Sequence, residues 1–138
     1  LSICTKKNRK VVIQTAVAVK PKIWWTKSFI LSMDRNVEWI FAIDGLPKDS
    51  NKYRVNQDGE KLFEIMKRCA SFGIKTTWQY IVFNYNQNDV DYCKNIADQY
   101  GINFLKISSG RWNTNALKRL QPSNNYSEMD GVSVRKYT

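Results

Sequence analysis

Runs of branched apolar residues alternate with segments of helical period along most of this chain, and that alternation leaves few folds open. Val11-Val12-Ile13-Gln14-Thr15-Ala16-Val17-Ala18-Val19 stops at Lys20-Pro21 and reads as a short buried strand. Pro21 suits a first helical turn, and Ile23, Trp24, Lys27, Phe29, Ile30, Leu31 and Met33 recur near helical spacing up to Asp34. After the turn at Asn36, residues 37–43 read as a second strand that ends in Asp44-Gly45. The polar, Pro-bearing stretch 46–56 is long for a connection and is a candidate functional loop. Residues 60–70 alternate apolar and charged side chains on a helical period and stop at Ser71-Phe72-Gly73. Ile74 to Phe83 is a third strand, Asn88-Asp89 opens a helix running to about Tyr100, and Gly101 precedes a fourth strand over 102–107. Parallel neighbours need crossovers, and the helices that make them cover the sheet, so the expectation is an α/β fold of parallel βα units with about four strands. From Ser108 onward Gly110, Pro122 and the Asn and Ser residues break every period, so 108–138 reads as an irregular tail.

Composition narrows the function classes. The 138 residues are 43% hydrophobic and 25% charged, which is ordinary for one globular domain and excludes a disordered or collagen-like chain. No apolar run reaches membrane-spanning length, since Lys20, Lys22, Glu38 and Asp44 interrupt them. With no signal-peptide pattern either, a cytoplasmic chain without a membrane partner is expected, and Leu1 reads as a cut end. His is absent and Cys4, Cys69 and Cys93 are far apart, so common zinc spacings, Ser-His-Asp triads and Cys-His pairs are all excluded. The three thiols are expected to be reduced.

The net charge of +10 is concentrated at the ends. Residues 1–36 carry eight basic and one acidic side chain, 37–104 eight and nine, and 105–138 six and two. Such ends are either a solvated surface or a contact for nucleic acid or another acidic partner, and no RNP-like motif, Gly-rich phosphate loop or zinc finger favours the second.

In parallel α/β folds the reactive side lies at the carboxyl ends of the strands. That selects Thr15 to Val19, Asp44 to Arg54, Phe83 to Asn88 and Ser108 to Trp112. Strand parity puts Ile40, Ala42 and Asp44 on the smaller, more polar face of the second strand, which is expected to line a pocket, and Trp39, Phe41 and Ile43 on the other. Asp44 before Gly45 is either a turn former or a site residue. Arg54 is either a surface charge or a bidentate fork for a ligand carboxylate. Gln79 sits mid-strand beside Thr77 and Ile81, where its amide meets a ligand, a helix or solvent. Trp24, Trp25 and Trp39 read as core rather than as a base-stacking surface.

Ile40-Phe41-Ala42-Ile43-Asp44-Gly45-Leu46-Pro47, Tyr53-Arg54-Val55-Asn56 and Trp78-Gln79-Tyr80-Ile81-Val82-Phe83 with Asn86 together resemble the later half of a radical S-adenosylmethionine (radical SAM) core domain. The likeness is to the peptide- and cofactor-maturing branch with SPASM-type extensions, and it covers roughly residues 8 to 112. It implies part of a (β/α)6 partial TIM barrel over 1–112, with Leu1 to Asn8 ending a preceding helix and 113–138 as an irregular tail or linker. It also implies a [4Fe-4S] cluster on a C-x-x-x-C-x-x-C loop, which cleaves S-adenosylmethionine and starts hydrogen abstraction by a 5′-deoxyadenosyl radical on a peptide or small-molecule substrate, with a reductant serving the cluster. By position the resemblance assigns Asp44 to the ribose or methionine part of S-adenosylmethionine, Arg54 to the methionyl carboxylate and Gln79 to the nucleoside. Ala42 replaces a common Ser, Thr15-Ala16-Val17 replaces Thr-Asn-Gly, and a Gly-Gly-Glu-type site is missing. The cluster triad is not supplied by Cys4, Cys69 and Cys93, so the expected function is an enzyme fragment that is inactive alone. The other class kept open is a basic α/β binding module for nucleic acid or an acidic partner.

Overall fold

A computed structural model of the chain describes residues 9–109, 112–123 and 134–137. Strands β1 (Val11–Thr15), β2 (Val37–Ala42), β3 (Lys75–Ile81), β4 (Asn103–Ser109) and β5 (Val134–Tyr137) form one sheet. Every neighbouring pair is parallel, and the strands lie side by side in chain order. The crossovers between β1 and β4 carry α1 (Lys22–Ser32), α2 (Gly59–Ser71) and α3 (Val90–Gln99), so the α/β class expected from the alternation is the class observed.

Register separates the two faces of the sheet. Ile13 lies beside Trp39 and Trp39 beside Thr76, while Phe41, Trp78 and Phe104 follow one another across the next row. This face carries the main apolar core, because all three helices pack on it. Phe29 of α1 meets Trp39 edge to face at 5.3 Å, Phe63 of α2 lies 5.5 Å from Trp78, and Cys93 and Ala97 bring α3 into the same cluster. A parallel crossover is almost always right-handed, so strands added always on the same side keep their helices on one face. Ile40, Ala42, Thr77, Gln79 and Ile107 are buried on the other face, away from α1 to α3.

Local chemistry sets the helix ends. Asp58 caps α2 by accepting from the Lys61 N–H at 3.0 Å, and Gly73 leaves it at φ +75°, a left-handed conformation open to glycine.

The structure corrects four expectations. β1 stops at Thr15 rather than Val19, because the Thr15 hydroxyl closes a turn with Val17 and the Ala16 carbonyl accepts from Gln57 instead of a strand. The third strand stops at Ile81, where Phe83 N–H turns to the Asn86 side chain. The segment after 112 is not wholly irregular: it holds the short helix α4 (Asn115–Lys118) and β5, each too short to show a period in sequence. Trp25 and Trp39 are core as expected, but Trp24 is 39% exposed. Leu1 to Asn8, Gly110 and Arg111 lie outside the described residues.

Candidate functional site

The residues singled out at the carboxyl ends of the strands are organised around Asp44, which follows β2 and is wholly buried. Its Oδ2 accepts from Arg54 Nε at 2.7 Å and its Oδ1 accepts from the Ile81 N–H at 2.8 Å. Asp44 N–H donates to Ser50 Oγ at 2.9 Å, and the Asp44 carbonyl accepts from the Tyr85 hydroxyl at 2.7 Å. Burial raises the Asp44 carboxyl above its ordinary range. Desolvation outweighs the opposing pull of the Arg54 guanidinium and the Ile81 N–H. Burial also raises the Tyr85 phenol, with the Asp44 charge adding to it.

Gly45 makes the turn possible. Its φ is +118°, and a Cβ there would stand 3.1 Å from Asn86 Cβ and 3.3 Å from a Tyr85 ring carbon. Asn86 is itself wholly buried and folds the loop after β3, its Oδ1 accepting from Phe83 N–H and its Nδ2 donating to Ile81 O.

Arg54 lies in the loop between β2 and α2, where a single 3₁₀ turn spans Ser50–Lys52. Arg54 N–H donates to Ser50 O at 3.0 Å, and its carbonyl accepts from Gln57 N–H at 2.9 Å. The guanidinium stands 5.6 Å from the Tyr53 ring, and Tyr53 packs 4.4 Å from Phe83, which stacks on Tyr85 and touches Trp112. Its side chain is 24% exposed, and among the described residues its Nη groups take no hydrogen-bond partner. An end-on fork is therefore available for an anion at the mouth of the strand ends.

Asp44 and Arg54 are thus brought together, but with each other. Asp44 has no exposed surface, and both its carboxylate oxygens are engaged within the chain. The Gln79 side chain bonds neither Asp44 nor Arg54 and lies on the sheet face away from α1 to α3. It accepts from Gln14 Nε2 at 3.0 Å, and it neighbours Ala42 and Leu105 in the register. A groove of about 990 Å³ lined by Leu46, Phe63, Tyr92 and Ile96 contains none of the three residues and belongs to the outer surface of α2 and α3.

Ser50 and Gln57 carry part of the site; Ser50 falls within the loop already marked in the sequence, and Gln57, one residue past it, was not singled out. Gln57 Nε2 donates to Ala16 O at 2.7 Å and to Ala42 O at 2.8 Å, which ties the ends of β1 and β2 together, and its Oε1 accepts from the Ser50 hydroxyl. The only available sign was a polar amide next to a loop already marked by its length.

The cysteines do not fit an iron-sulfur cluster. Cys69 and Cys93 are both wholly buried in the core between helices and sheet, and burial pushes each thiol up to about 12, whereas a ligand must be a thiolate that reaches the metal. Cys4 lies outside the described residues. Among the described residues no three His, Cys, Asp or Glu side chains are grouped to hold a metal. Comparison with protein-family models, with curated proteins and with solved structures gave no match.

Proposed function

We propose that this chain is the later section of a radical SAM core barrel and that its own contribution is to bind and orient S-adenosylmethionine. The observation that supports this reading best is the unbroken parallel order of β1 to β4 with all three helices on one face. A sheet wound in one direction only is the kind that closes into a barrel, and it puts every βα loop at one rim. On that rim the Arg54 fork faces the methionyl carboxylate, and Gln79, on the inner face, contributes an amide to the nucleoside. The [4Fe-4S] cluster is assigned to cysteines other than Cys69 and Cys93, and no chemical step is assigned to this chain.

Replacing Arg54 with Lys keeps the charge and removes the planar fork. S-Adenosylmethionine binding by the full-length gene product, purified without oxygen, should weaken by about 1.5–3 kcal/mol, the range for hydrogen bonds to charged groups. That is roughly one to two orders of magnitude in affinity. Arg35, in the turn before β2 at the opposite rim, is the control. Equal calorimetric affinities for the Arg54→Lys and Arg35→Lys proteins would overturn the reading.

A further inference from the structure

We propose that Asp44 and Gln57 are positioning residues for Arg54: Asp44 holds its guanidinium by the Nε side, Gln57 holds its main chain, and together they leave the Nη edge free to receive a ligand carboxylate, while Asp44 itself meets no ligand. The inference rests on the reading of Arg54 as the carboxylate receptor.

The two residues act on different parts of Arg54. Asp44 holds the side chain, through the 2.7 Å contact of Oδ2 with Nε, and it is fixed in turn by the Ile81 N–H on its other oxygen. Gln57 holds the main chain. Its own N–H bonds the Arg54 carbonyl, while its side-chain amide is clamped to the carbonyls of Ala16 and Ala42. Ser50 closes the circuit: its hydroxyl accepts from Asp44 N–H and donates to Gln57, and its carbonyl accepts from Arg54 N–H. The entry and exit of the loop are thereby pinned to each other and to the ends of β1 and β2, with Arg54 between them. Arginine has a long side chain whose rotamer freedom must be given up when it binds, and a guanidinium already ordered gives up less. A monodentate contact at Nε leaves the two Nη groups as the remaining fork, which is the geometry that grips a carboxylate end-on.

The test compares S-adenosylmethionine with 5′-methylthioadenosine, which lacks the methionyl carboxylate, as calorimetric ligands of the full-length gene product. In the Asp44→Asn and Gln57→Met proteins the affinity for S-adenosylmethionine should fall by about threefold to tenfold, the cost of ordering a side chain on binding. The affinity for 5′-methylthioadenosine should stay the same. A loss of both ligands together would show that the two residues only maintain the fold, and it would overturn the inference. So would unchanged binding in both proteins while Arg54→Ala loses S-adenosylmethionine, an outcome that leaves the proposed function standing. If Arg54→Ala affects neither ligand, or if neither binds, the proposed function itself fails.

A measurement on the unsubstituted chain covers the case in which the variants do not fold. The Arg54 Nε–H should exchange slowly with solvent in nitrogen-15 spectra near neutral pH, because a buried carboxylate accepts from it. Rapid exchange would remove the positioning role outright.

Discussion

Removing the Arg54 guanidinium strands a charge, which makes that pair the most informative position for stability. Breaking a buried pair by deleting one partner typically costs about 3–5 kcal/mol, and Arg54→Ala should fall at the lower end since Arg54 keeps some exposure. Urea unfolding at pH 7 measures this, and adding Asp44→Asn to the same chain should recover part of the loss. The pH dependence has a definite sign. A carboxyl whose native pKa is raised contributes most below its unfolded value, about 3.9, and loses that contribution as pH rises through the native value. Without Arg54 the native value rises further, so the Arg54→Ala deficit should be smaller at pH 4 than at pH 7, and a deficit independent of pH would exclude Asp44 as its source. The thiols give a second residue-scale test. With both pushed up to about 12, Cys69 and Cys93 should escape alkylation at pH 8 in the native chain and react once urea unfolds it, as peptide mapping would show. Asp44, Arg54 and Gln79 were legible as candidates because a strand's parity and its carboxyl end are sequence properties. The bond between Asp44 and Arg54 was not, since ten residues of loop have no period from which their path can be read. Gln57 was silent for a related reason: its partners are main-chain carbonyls, which every sequence has.

At the scale of elements, α1 shows best what periodicity records and what it leaves out. Trp25 and Phe29 point into the core, while Ile23 and Ile30 are 60% and 56% exposed, so the helix is apolar on both sides. Phe29→Ala should cost about 3–5 kcal/mol, as for other buried Phe truncations. Ile30→Ala, one residue away, should stay within about 0.5 kcal/mol, as surface changes do. Denaturant midpoints for the two variants check the orientation of the helix, and similar losses would contradict it. The spacing in sequence locates α1 but does not say which of its apolar sides is buried; only the partners Trp39 and Phe72 settle that. α2 and α3 were more legible, since each carries polar residues on its outer side and a glycine just past its end. α4 and β5 were invisible, because four residues make one helical turn or one short strand and neither contains a repeat.

For the whole molecule, chain-order pairing ranks the strands by how much structure must open to expose them. β2 and β3 each have a parallel neighbour on both sides and the helix-packed core against one face, and Trp39, Phe41, Trp78 and Tyr80 in them are all buried. Among the described residues β1 is an edge, with Val12 half exposed and β2 as its one partner, and β5 is the opposite edge. The parallel pairing was legible from the alternation of strands and helices, because parallel neighbours need crossovers. The rim chemistry was not legible, because it depends on where loops return. Native-state hydrogen exchange reports the opening free energy of each segment, which runs from near zero at frayed edges to the global value in core strands. Amides of Ile40, Phe41, Trp78 and Gln79 should therefore exchange most slowly, and those of Val12 and Ile13 earlier. Ile81 separates this ranking from simple depth. It ends β3, where strands fray, yet its N–H is held by the buried Asp44 carboxylate, so it should exchange as slowly as the middle of its strand. In Arg54→Ala at pH 7 that protection should drop at Ile81 ahead of Trp78, as the loop between β2 and α2 loosens while the sheet stays paired. If Ile81 and Trp78 lose protection equally, the loop and the central sheet open as one unit, and the rim is not a separately held layer.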